Sequence, residues 1–262
     1  MSRAKRLFAL FLLAIAVVLI FLPRGRNPVD DATIAQSITL YGYADDGALL
    51  WEMHARDGRI DGSGQTLSGV AIDFYGQDLS TLSIDGDRLE RTEAVSRLSG
   101  NVQIQRTDDL LLEADALTWD EAEERLESGP IELSTADLHV SAMGFGYDLE
   151  TETASLTGGV EASASLEAEW TIRADRAEER DGVIVFREGV TAESEDGESF
   201  RCERLEVDTE AETARLSGDV IGDWPSGHLS AESLQLDGDG MRATGHAMAR
   251  LDLEELRTVD DT

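Results

Sequence analysis

The chain has 262 residues, 41% of them hydrophobic, and a formal net charge of −32 at pH 7 with Lys5 as its only lysine. All 54 carboxylates lie after position 22, where they face 19 arginines and leave a net charge of −35, so the chain has no basic surface for nucleic acid. Patterned apolar content excludes disorder, and a lone Cys202, two residues after Phe200 in an alternating run, excludes a disulfide framework and reads as a buried thiol.

In chain order, residues 1–6 form a basic stub and residues 7–22, LFALFLLAIAVVLIFL, are sixteen consecutive apolar residues. At 1.5 Å per residue a helix here spans about 24 Å, short of a bilayer core of about 30 Å but serviceable with local thinning and arginine snorkelling. The flank LPRGRNP offers no small-x-small cleavage site and no lipobox cysteine. The segment is therefore expected to be an uncleaved signal-anchor, with the stub in the cytoplasm and the rest of the chain exported. Residues 23–37 then read as a linker.

From there a phrase recurs. Its glycines are Gly69 (TLSGV), Gly100 (RLSGNV), Gly129 (LESGPI), Gly158 (SLTGGV), Gly189 (FREGV), Gly218 (RLSGDV) and Gly245 (RATGHA), at steps of 31, 29, 29, 31, 29 and 27 residues. Seven copies at a near-constant spacing mark a repeat architecture. Each copy ends in a strand with clean alternation, such as Leu98, Gly100, Val102, Ile104, or Leu156, Gly158, Val160, or Leu216, Gly218, Val220. A first strand precedes it, as in LEADALTWD or RCERLEVD, followed by an acidic turn such as DEAEE or DTEAE. Two strands per copy predict an all-β body of about 14 short antiparallel strands, with the sheet bending or bulging at each glycine. One two-strand unit cannot bury its own apolar face, so the units must stack.

The phrases LTWDEAEERLESGPIEL and FGYDLETETASLTGGVEA resemble the OstA-like repeats of the lipopolysaccharide transport machinery, and with an N-terminal anchor the chain resembles the LptC family of that machinery. The resemblance implies an elongated β-jellyroll over residues 38–165 whose apolar interior holds acyl chains. Further repeats at 166–250, of the kind found in the soluble bridging protein of the system, and an acidic tail at 251–262 extend the chain beyond the usual pattern. The resemblance also implies lipopolysaccharide or a related glycolipid as cargo, delivered by an inner-membrane ABC transporter (LptB/F/G-like) and passed to an LptA-like bridge.

Candidate groove residues are Leu98, Val102, Ile104, Ile131, Leu133, Met143, Phe145, Leu156, Val160, Leu216 and Val220. The same alternation would fill a closed sandwich, which leaves open a non-transporting structural or adhesive β-repeat protein. Sheet edges near Ile38 and Leu40, and near Met241 and Ala243, are candidate docking strands, although the tail could cover the second. His54, His139, His228 and His246 are dispersed without metal-ligand spacing, DGDG at 237–240 reads as a hairpin turn, and no catalytic set emerges. The expectation is a protein that is not an enzyme and needs no cofactor or metal.

Overall fold

The computed structural model describes residues 33–251 apart from 44–46, 48, 62–63, 76–80, 93, 107–109, 121, 137, 149, 152, 166–168, 209–210, 212 and 238–239. Among the described residues every regular element is a strand, and no helix is long and apolar enough to cross a membrane. The expected anchor at 7–22 and residues 252–262 of the tail lie outside the described residues.

The strands in order are β1 (Thr33–Tyr43), β2 (Leu49–Asp61), β3 (Gly64–Tyr75), β4 (Thr81–Arg91), β5 (Val95–Arg106), β6 (Leu111–Asp120), β7 (Arg125–Ser128), β8 (Ile131–Ser134), β9 (Leu138–Ala142), β10 (Gly144–Asp148), β11 (Thr153–Ser165), β12 (Glu169–Arg180), β13 (Val183–Ser194), β14 (Ser199–Asp208), β15 (Thr213–Trp224), β16 (Gly227–Asp237), β17 (Gly240–Thr244) and β18 (Met248–Leu251). Twelve of them run 10–13 residues, longer than the short strands expected. The other six are three interrupted arms: β7 with β8, β9 with β10, and β17 with β18. The described chain thus has fifteen arms, two for each of the seven glycine phrases and β1 in front, where the repeats alone predict fourteen. β1 begins at Thr33, within the span read as linker.

The chain divides into two compact units. The first holds β1 to β8 and β10, and the second holds β9 and β11 to β18. Within the first, β1 to β6 pair antiparallel in sequence; β7 and β8 lie along β6, and β10 pairs with β7. Within the second, β9 pairs with part of β11, β11 to β16 follow in order, and β17 and β18 lie along β16. Sequential hairpins of this kind are the lowest-cost way to join neighbouring antiparallel strands.

The turns explain the acidic phrases between strands. Asp120 Oδ1 accepts from the Ala122 and Glu123 amides at 2.8 and 3.2 Å, Asp148 Oδ1 from the Thr151 amide at 2.8 Å, and Asp208 Oδ1 from the Ala211 amide at 3.0 Å. A short carboxylate that bonds the amides two or three residues on is a turn device of its own. The Thr151 amide, together with the Thr151 hydroxyl that donates at 2.9 Å, also holds the Asp148 carboxyl below its ordinary range.

The glycine phrase marks a corner. In β5, β11, β13 and β15 the pairing slips at the glycine, between Ser99 and Val102, Thr157 and Val160, Arg187 and Val190, and Ser217 and Val220. There the glycine strand carries one residue more than its neighbour. Burial shows the same arithmetic: inward residues in these strands step by four, as from Leu98 to Val102 or Leu216 to Val220, whereas first strands step by three, as from Ala174 to Ala177 or Ala231 to Leu234. The extra residue is a β-bulge. It is built from paired residues in left-handed backbone, Gly100 with Asn101 at φ 77° and 47°, and Gly218 with Asp219 at 79° and 46°.

On both sides of these corners, alternate side chains are buried. A single sheet layer cannot hide a side chain completely, and no helix covers these strands among the described residues. Complete burial therefore requires a second layer within each unit, and the corners are where a strand turns so that its far half can supply one.

Candidate functional site

The inward face of each unit is the surface on which the sequence places its function. Leu98, Val102, Ile104, Ile131 and Phe145 are buried there in the first unit, and Val160, Leu216 and Val220 in the second; Ile104 is 0% exposed and Val220 1%. Leu133 and Leu156 are half-buried. Met143 departs from this group: it is 62% exposed, at the bend between β9 and β10. Alternation carried back from Phe145 puts Met143 on the inner face, but the three-residue step at this corner makes Ala142 the inward residue before it.

Apart from Arg91, the charged side chains of the described residues lie on the other face and at the turns. Arg173 reaches Glu161 at 2.7 Å and Glu193 at 3.1 Å from the neighbouring strands, Arg176 pairs with Glu188, and Arg187 with Glu178 at 3.7 Å. Three histidines have carboxylate neighbours: His54 with Glu52 at 3.0 Å, His228 with Asp223 at 2.6 Å and His246 with Glu232 at 2.8 Å. The His228 hydrogen bond is the main reason that the Asp223 carboxyl lies below its ordinary range. Cys202 sits half-buried at a corner position, and burial pushes its thiol up. Among the described residues, no three His, Cys, Asp or Glu side chains converge as a metal site would require.

The edge candidates divide. Within the first unit β1 has β2 as its only partner among the described residues, but Ile38 and Leu40 are half-buried, and the Ile38 Cδ1 methyl fills the space over Gly58. The large apolar side chains that β1 exposes are Ile34, Tyr41 and Tyr43. At the end of the second unit Met241 is exposed and Ala243 half-buried on β17, while Met248 is exposed on β18.

One set of inward residues escaped the sequence reading. At the turn end of the first unit, Arg91, Ser96, Trp119 and Tyr147 are all buried on the inner face. Their signal was present: Ser96 continues the alternation of Leu98, and Trp119 that of Leu117. A search for apolar phase passes over Arg and Ser.

No family model and no curated protein sequence matches the chain. Among solved structures, the chain is similar to LptH, the LptA-homologous periplasmic component of the lipopolysaccharide transport device of Pseudomonas aeruginosa. The TM-score is 0.37 and the identity 11%, over 42% of this chain and 83% of that one.

Proposed function

We propose that this protein is an inner-membrane-anchored periplasmic carrier in the export of lipopolysaccharide or a related glycolipid, and that it is not an enzyme. It would take lipid from an ABC transporter of the LptB/F/G kind and hand it to an LptA-like bridge, with acyl chains held against the inner β-face. The observation that carries this reading is the segregation built by the corners: strand after strand, aliphatic and aromatic side chains point inward while the arginine–carboxylate pairs stay outside. Such a face recognises acyl chains by burial alone, at roughly 0.8 kcal/mol for each methylene removed from water. The repeats that resemble the OstA-like family and the apolar segment at 7–22 support the same reading.

The near-complete burial of Val102, Ile104 and Val220 favours a second reading, in which the interior is a closed core and the protein a structural or adhesive repeat. The carrier reading requires the two layers of a unit to part so that chains replace side-chain contacts. A photo-crosslinking residue at Val102, Val160 or Val220 distinguishes the two during export in cells. Capture of lipid at these positions and not at the exposed Gln103 is the expected result; lipid at Gln103 alone, or at none of them, rejects the carrier.

A further inference from the structure

We infer that the first unit holds a head-group subsite for an anionic amphiphile, formed by Arg91, Ser96 and Trp119 at the turn end of its inner face. The inference rests on the carrier reading and specifies its cargo: a lipid whose phosphate or carboxylate lies at this row while its chain covers the leucines beside it.

The row follows from register. Arg91 on β4 is directly opposite Ser96 on β5, Ser96 is opposite Trp119 on β6, Trp119 is opposite Leu126 on β7, and Leu126 is opposite Tyr147 on β10. Directly opposed residues share a face with Cβ atoms about 5 Å apart, so the three donors sit side by side. The face is the inner one: Arg91 is 6% exposed, Ser96 0% and Trp119 1%. Two residues further along each strand the neighbouring row is apolar, with Leu89, Leu98 and Leu117 all buried.

Two of these donors are left without a partner. Ser96 Oγ and Trp119 Nε1 are fully buried and make no hydrogen bond, although buried polar groups are nearly always satisfied. Arg91 adds a planar fork of N–H donors suited to a phosphate or carboxylate. The turn next to the row is held firmly: Thr92 Oγ1 donates to the Val95 carbonyl at 3.1 Å and accepts from the Val95 amide at 3.2 Å.

The fold does not demand this chemistry. The equivalent row of the second unit, in register across β13, β14, β15 and β16, is Ile184, Val207, Ala214 and Leu236. One unit is polar at the very row where the other is aliphatic, which points to a ligand and away from a packing requirement.

The test compares two twelve-carbon ligands, dodecyl phosphate and the uncharged dodecyl maltoside, bound to the full chain in lipid nanodiscs and followed by calorimetry. Dodecyl phosphate should bind at least about tenfold tighter, a ratio equal to about 1.4 kcal/mol. Ser96→Ala, which removes only an orphaned hydroxyl, and Trp119→Phe, which removes the indole N–H with part of the ring and keeps an aromatic side chain, should together erase most of that preference and leave maltoside affinity unchanged. Arg91→Lys should reduce it severalfold while keeping the charge. Equal affinity for the two ligands, or a preference that survives the Ser96 and Trp119 changes, overturns the subsite and leaves the carrier standing. Saturable binding of inorganic phosphate alone, with no gain from the chain, overturns it in favour of a free-anion site. Binding of neither amphiphile removes the carrier reading and the subsite together.

Discussion

At the scale of single residues, the recurrent glycines are best understood through Gly100 and Gly218. Each has a positive φ, and each lies under an acid from the preceding strand: a Cβ would come within 2.5 Å of the Asp87 carboxylate at Gly100 and 2.6 Å of the Glu203 carboxylate at Gly218. Gly129 belongs to the same phrase, yet it falls in the break between β7 and β8, is not among the positive-φ glycines, and has open space where its Cβ would be. Alanine at Gly100 or Gly218 should therefore cost about 1–3 kcal/mol, from left-handed backbone and the displaced carboxylate. Alanine at Gly129 should change stability by no more than about 0.5 kcal/mol. Urea unfolding of the three variants checks this, and equal losses at all three would show that the bulge does not set the requirement. The phrase is visible in the sequence seven times, but only backbone angles separate its strained members from Gly129.

At the scale of an element, the β15–β16 hairpin shows how the outer face is knit. Asp223 and His228 are register partners two positions from the turn residues Pro225 and Ser226, and their side chains meet at 2.6 Å. The imidazole draws the Asp223 carboxyl down, so what Asp223 adds to stability is present above the carboxylate's unfolded pKa and is lost as pH falls through its lower folded value. His228→Gln should move the Asp223 titration midpoint upward, as read from its carboxyl carbon shift by NMR. An unmoved midpoint would mean the pair does not form in solution. Hairpins of this kind were legible from alternation and acidic turns. Their length was not: the sequence suggested short strands because each phrase interrupts the pattern, whereas the chain passes through the corner and keeps pairing on the far side, as β5 does from Val95 to Arg106.

At the scale of the whole molecule, the chain after residue 22 carries a net −35, and few of its carboxylates can find an arginine. Self-repulsion of this size is screened as the Debye length falls from about 30 Å at 0.01 M salt to about 8 Å at 0.15 M. The thermal midpoint should rise over that range by several degrees in sodium chloride, and calorimetry at the two concentrations measures it; a midpoint independent of salt would show that the outer ion pairs already neutralise the surface. The sequence by itself determined the all-β class, the seven-fold repeat, the apolar inner phase and the acidic outer one, because a strand's two faces follow from a period of two that the order of residues reveals. The recurring glycines also marked where that period breaks; only the tertiary structure decided which side chains each break turns inward. The three-residue step turns Met143 outward and brings Ala142 and Phe145 inward, the one-residue bulge lets strand halves cover each other, and cross-strand register gathers Arg91, Ser96 and Trp119 from three strands into one buried row. Register is a relation between strands, set by which neighbour supplies the extra residue, and no single strand's sequence contains it.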